Sequence, residues 1–224
     1  RRRAPGRRPD GLQQTMNRAE DMMKTWLLTI AVASALISGN THAAGDPASG
    51  EAKAAVCVAC HGPAGNSLVP TWPKLAGQHP EYIYKQLMDF KSGARVNDQM
   101  SPQVIPLNEQ DFLDLAAYFA AQQQTPGAAD PALAELGERI YRGGNPQSGV
   151  AACTGCHGPA GTGIGLAKFP RIAGQHAQYV DQSLRHFRDA ARANDPNSMM
   201  RGVSSRMTDQ EIAAVSQYIQ GLSQ

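Results

Sequence analysis

The stretch "CVACHGPAGN" at residues 57–66 returns as "CTGCHGPAGT" at residues 153–162, and these two copies hold every cysteine in the 224-residue chain. The repetition extends well past the cysteines. "PKLAGQHPEYIYKQLMDFKSGARVND" (residues 73–98) matches "PRIAGQHAQYVDQSLRHFRDAARAND" (residues 170–195), with Pro, Ala-Gly-Gln-His, Tyr, Leu, Phe, Ala-Arg and Asn-Asp all in register at an offset of 97. A self-similar chain of this kind is one structural unit used twice. Between the copies lies "QQQTPGAADPA" (residues 122–132), whose polar, Pro- and Gly-bearing composition suits a linker.

Each copy reads as helical. Pro80 opens "PEYIYKQLMDFKSG", with Tyr82, Ile83, Leu87 and Phe90 at helical spacing and Gly93 past the end. "NEQDFLDLAAYFAAQ" offers Asn108 as N-cap and sets Phe112, Leu115, Ala116 and Phe119 on one face. Its counterpart "TDQEIAAVSQYIQGL" carries a capping box, Thr208 with Glu211 three residues on. A shorter helix should precede each cysteine motif, from about Pro47 and Pro131. No alternating strand pattern competes, so the expected fold is all-α.

The N-terminus stands apart. "MMKTWLLTIAVASALISGNTHAAGD" has a lysine at position 24, an apolar run from Trp26 to Ile37, and small residues before Ala44. That is the tripartite layout of a secretory signal peptide cleaved between Ala43 and Ala44. Residues 1–21 then read as a disordered upstream extension, residues 22–43 as the signal, 44–124 as an N-terminal domain, 125–131 as a linker and 132–224 as a C-terminal domain. Loss of residues 1–43 removes seven of the 21 Lys/Arg and three of the 19 Asp/Glu, which turns a formal charge of +2 into −2. A nucleic-acid role based on basic charge goes with it. Two small domains with few aromatics (6% of the chain) bury little apolar surface, so something large and apolar should fill each.

Cys-x-x-Cys-His is the attachment signature of c-type haem. Two thiols reach two vinyl groups on one edge of the porphyrin, and the next residue presents its imidazole to the iron. The expected attachment residues are Cys57, Cys60, Cys153 and Cys156, with His61 and His157 as iron ligands and two haem c groups in all. Disulfides, a shared zinc or a thioredoxin-like redox pair would each use the cysteines but leave the repeated histidine without a role. The second ligand should be a methionine, and Met100 follows Asn-Asp as methionine does again in "NDPNSMMRG". Met100 falls between predicted helices, whereas Met88, inside one, reads as core filler. The adjacent Met199 and Met200 leave a choice. Counting back from the aligned "NEQD" and "TDQE" gives an offset of 100 and selects Met200. His/Met ligation closes the iron and suits electron transfer. The carbonyls of Pro73 and Pro170 could orient the two histidines, or the prolines simply open turns. Arg95 and Arg192 could pair with haem propionates or be exposed helix-end arginines. His79 and His176 read as structural.

With these motifs the chain resembles the dihaem cytochrome c4 family across essentially all of residues 44–224. The resemblance rests on "CxxCHGPAG", "P-x-[LI]-AGQH" and "R-x-ND…M", each present twice. It implies two tandem class I cytochrome c domains related by a pseudo-twofold axis, propionate edges facing. It also implies a periplasmic electron carrier, often loosely membrane-associated and with no small-molecule substrate, that shuttles electrons toward terminal oxidases and meets redox proteins such as a cytochrome bc1 complex or a terminal oxidase. Two other functions share the motifs: a subunit accepting electrons from a dehydrogenase, for example of sulfur compounds, and a dihaem peroxidase. The peroxidase requires an open iron, which two equivalent Met loops argue against.

Overall fold

Proline at the first helical position, where its missing N–H costs nothing, starts three of the long helices in the computed structural model, which describes residues 45–222. In the first half these are α1 (Pro47–His61) and α2 (Pro80–Ser92), followed by α3 (Met100–Val104) and α4 (Glu109–Ala120). The second half comprises α5 (Pro131–Gly143), α6 (Thr154–His157), α7 (Ala177–Arg188), α8 (Met199–Ser204) and α9 (Asp209–Gly221). The described residues contain no strand, only the isolated bridges Asn145–Val150 and Ile164–Phe169. The expected extension and signal peptide (residues 1–43) lie outside the described residues.

The local stop and start signals act as chemistry dictates. Asp46 and Asp130 accept the first free N–H groups of α1 and α5. Asn108 with Asp111 and Thr208 with Glu211 form reciprocal capping boxes on α4 and α9. Gly93 closes α2 at φ 78°, a left-handed conformation that suits glycine.

Both halves pack alike. In the first, α1 and α2 lie on α4, whose Phe112, Leu115, Ala116 and Phe119 are at most 2% exposed; in the second, α5 and α7 lie on α9 through Ile212, Val215 and Ile219. Each pair of terminal helices crosses at a glycine. A Cβ added at Gly50 would stand 2.1 Å from the Asp114 carbonyl oxygen, and one at Gly137 would stand 2.2 Å from that of Ala214.

Three sequence expectations change. The helix of the first half does not stop before the cysteines but runs through them to His61, packed along α4. In the second half a bridged turn at residues 145–150 intervenes before the short α6. Met100 opens a helix and is not in a loop. Met88 is at the surface, not in the core.

The halves differ in what holds the helix crossing. In the first, Lys53 Nζ reaches Asp114 at 2.6 Å and Asp111 at 3.0 Å, and Asp114 is 3% exposed. In the second, Ile140 and Ala214 take the positions of Lys53 and Asp114, and both are buried. The Lys53 hydrogen bond holds the Asp114 carboxyl below its ordinary value near 3.8, against the opposing effect of burial. A depressed carboxylate contributes stability that is present above its unfolded value and lost as pH falls through the folded one. The first half has three such lowered carboxylates, Asp46, Asp111 and Asp114, against two in the second, Asp209 and Glu211, so it should loosen first as pH drops below about 4. An acid titration followed by NMR signals from each half checks this; a common midpoint would contradict it.

Candidate haem sites

His61 ends α1 and His157 ends α6, and both imidazoles are buried, at 6% and 8% exposure. Nδ1 of His61 donates to the Pro73 carbonyl at 2.8 Å, and Nδ1 of His157 to the Pro170 carbonyl at 2.9 Å. A carbonyl only accepts, so each Nδ1 carries the proton and each Nε2 is left with a free lone pair. Burial lowers the pKa of both rings, more than the proline bonds raise it, which keeps them neutral. A neutral imidazole oriented by a second-sphere carbonyl is a ready iron ligand.

All four cysteines are unpaired. Burial pushes the Cys57 thiol up and that of Cys153 up to about 11. A dithiol redox site needs the opposite shift, so the thioredoxin-like reading has no support here. Cys57 and Cys153 pack against the cores of their own halves, while Cys60 and Cys156 are exposed.

Met100 packs against the cluster of Phe90, Val104 and Phe112. The three additional residues before the second methionine pair form the 3-10 turn Pro196–Ser198, with Asn197 and Ser198 at φ 54° and 56°. After that turn Met200 packs on the core of its half, and Met199 is 39% exposed. Four residues on, Val104 and Ser204 are equally buried, at 1% and 0%, as an offset of 100 requires.

Arg95 and Arg192 occupy equivalent places, each guanidinium 4.5 Å above the ring of its half's phenylalanine, Phe90 or Phe187. They meet at the contact between halves. Arg95 donates to Gln86 Oε1 (2.7 Å) and Tyr179 (3.3 Å), and Arg192 to Gln86 Oε1 (3.1 Å) and Tyr82 (2.9 Å). Among the described residues no carboxylate lies within ion-pair distance of either. Burial alone would raise the Tyr179 phenol, but the two guanidiniums outweigh it and bring it to about 7. A site that pulls a tyrosine toward its anion is short of negative charge, which the propionates of haem would supply. With four free thiols, two neutral oriented imidazoles and two core-packed methionines, the residues fit one haem c per half.

The two halves grip each other through the repeated Ala-Gly-Gln-His turns. Gln78 pairs with the backbone of Arg171 and Gln175 with that of Lys74; residue and target both shift by 97, the signature of a pseudo-twofold axis. His79 Nε2 donates to the Thr162 carbonyl (2.7 Å), and His176 Nε2 to that of Ser67 (2.9 Å). These histidines are structural as expected, but their work is between halves. Gln78, Gln175, Gln86 and Tyr179 were given no role by sequence reasoning, and Tyr82 was read only as one of a set of residues at helical spacing. For Gln78 and Gln175, and for Tyr82 and Tyr179, the one signal was the repeat itself, which keeps the residue at the same place in both copies; Gln86 has Ser183 as its counterpart.

The cytochrome c family profile matches residues 48–123 and 134–223. The cytochrome c4 of Thiocapsa roseopersicina is 69% identical over 182 residues, 80% of this chain and 94% of that protein. The chain belongs to the cytochrome c4 family. Reduced recombinant cytochrome c4 from Pseudomonas stutzeri is similar in structure, with a TM-score of 0.78, 47% identity and coverage of 80% of this chain and 100% of that one. A thiosulfate dehydrogenase electron acceptor from Stutzerimonas stutzeri is 37% identical over 175 residues, 76% of this chain and 81% of that protein. As a member of this family, the protein is an electron carrier with two haem c groups, and not an enzyme.

Proposed function

We propose that the protein is exported, is cleaved to a chain from Ala44, and carries single electrons in the periplasm from a cytochrome bc1 complex toward a terminal oxidase. Cys57 and Cys60 hold one haem and Cys153 and Cys156 the other, with His61 and Met100, then His157 and Met200, as iron ligands. Bound haem supplies one-electron chemistry. The chain's part is to orient each imidazole, exclude water with the helices around it, and close the second position with a thioether that favours ferrous iron. The observation that carries this reading is the equivalence of the two sites, each with a buried histidine locked through Nδ1 and a half-buried methionine on a short helix. No helix among the described residues is long and apolar enough to cross a membrane.

A second reading, acceptance of electrons from a dehydrogenase of sulfur compounds, is favoured by the 37% identity to the thiosulfate dehydrogenase acceptor. Reduction rates of the native holoprotein with bc1-containing membranes and with a thiosulfate dehydrogenase separate the two. Fast reduction by the dehydrogenase alone would displace the respiratory assignment, and cytoplasmic recovery of unprocessed chain would overturn export.

The two haems should differ in potential. Residues 44–128 carry five basic and eight acidic side chains, and residues 129–224 carry nine and eight. With the same ligands in both halves, charge becomes the leading difference, and positive surroundings favour the reduced iron. Four charges at roughly 15 Å amount to about 1 kcal/mol in a watery dielectric, hence a few tens of millivolts, with the C-terminal haem higher. A redox titration with each haem assigned by NMR decides the order; equal potentials would mean that burial outweighs domain charge.

A further inference from the structure

The carbonyl that orients each ligand histidine belongs to a peptide group whose N–H is held by the other half. Pro73 O accepts from His61 Nδ1 at 2.8 Å, and the N–H of that same peptide, on Lys74, donates to Oε1 of Gln175 at 2.8 Å. The mirror arrangement is complete: Pro170 O accepts from His157 Nδ1 at 2.9 Å, and the Arg171 N–H donates to Oε1 of Gln78 at 2.9 Å. Each glutamine also returns a bond from Nε2, to Lys74 O at 2.9 Å and Arg171 O at 2.8 Å. Gln78 and Gln175 are 7% and 6% exposed, so water does not compete for these bonds.

We propose that Gln78 and Gln175 are positioning residues that set the donor strength of the iron-binding histidine in the opposite half. An amide oxygen on a peptide N–H polarises that peptide, and its carbonyl becomes a stronger acceptor; bonds in such a chain reinforce one another in a dry interior. A stronger bond at Nδ1 gives the imidazole more anionic character, and its Nε2 donates more strongly to the metal. Stronger donation favours the oxidised iron. Each half therefore holds the other's potential down, and the contact between halves is part of both metal sites.

The coupling is reciprocal. Oxidation at one iron makes its imidazole a better hydrogen-bond donor, which tightens the chain through Pro73 and Lys74 to Gln175 and strengthens the contact between halves. A glutamine that served only as an interface latch would loosen both sites alike on removal. A glutamine in the chain acts across the interface, on the haem it is not covalently near. That crossed effect separates the two roles.

The proposal rests on His61 and His157 being iron ligands, which the hyperfine-shifted NMR resonance of each Nδ1–H in the unaltered holoprotein tests independently. The experiment is a redox titration of full-length holoprotein with each haem assigned, for Gln175→Leu, Gln78→Leu and His176→Asn. Gln175→Leu should raise the N-terminal haem's potential by about threefold in its reduction equilibrium, about 30 mV for a one-electron couple, with a much smaller change at the C-terminal haem. Gln78→Leu should do the reverse. His176→Asn, which breaks a bond between halves without touching either ligand-bearing peptide, should move neither haem by that amount. If the leucine variants do not assemble, Gln175→Asn withdraws the acceptor by one methylene and should give the same sign. Equal shifts at both haems, a shift at the glutamine's own half, or no shift would overturn the proposal.

Discussion

Met200→Ala should abolish one of the two sulfur-to-iron charge-transfer bands of the oxidised holoprotein, and Met199→Ala should leave both. The two side chains are neighbours on one short helix, so they point about 100° apart. Only one can face the core. Met200 packs against it, while Met199 is 39% exposed. The register agrees from the other side, because Thr208 and Glu211 cap α9 as Asn108 and Asp111 cap α4, and 100 residues separate each pair. Loss of the thioether exchanges a soft ligand for water or a weaker group and lowers that haem's potential by on the order of 0.2 V, within the range that axial ligands control. Met100→Ala should do the same to the other haem, and the double variant should lack both bands. A band lost in Met199→Ala and kept in Met200→Ala would reverse the assignment.

Much of this was legible in the sequence because the chain supplies its own comparison. A lone methionine between helices says little, but two placed alike after Asn-Asp narrow the choice. Capping residues were readable for the same local reason: a side chain three positions from a free N–H needs no tertiary contact to act. The carbonyls of Pro73 and Pro170 could be proposed from their distance after His61 and His157, and both accept the expected proton. The contact between halves was not legible. Gln78 and Gln175 bond to backbone atoms 93 and 101 residues away, and nothing in a glutamine's neighbours announces a partner on another domain. The course of α1 through the cysteine motif escaped for a different reason. "AVCVACH" is as compatible with a turn as with a helix, and packing on α4 decides it.

Gly50→Ala and Gly137→Ala should each unfold one half and spare the other at first. Where the terminal helices cross, the added methyl carbon would lie 2.1 Å from the Asp114 carbonyl oxygen or 2.2 Å from that of Ala214, and 2.7 Å from Cβ of Tyr118 or Tyr218. Backbone and Cβ atoms have no rotamer to escape into, so the helices must separate by about 1 Å along their whole contact. The cost exceeds ordinary overpacking and should reach about 3 kcal/mol or more, a large part of the 5–15 kcal/mol that holds a domain together. Gly143→Ala, on the same helix as Gly137 with nothing within 4 Å of the new methyl, is the control for helix propensity and should be neutral or slightly stabilising. Calorimetry of the holoproteins reads the outcome as a second, lower transition, assigned to a half by its haem signals. A single transition that moves as a whole would mean that the contact between halves makes them one cooperative unit. The reciprocal glutamine bonds oppose that separation, but they are few beside the packed helix faces inside each half. The prediction is therefore that the damaged half melts first, while α5, α7 and α9 hold together after Gly50→Ala, and α1, α2 and α4 after Gly137→Ala.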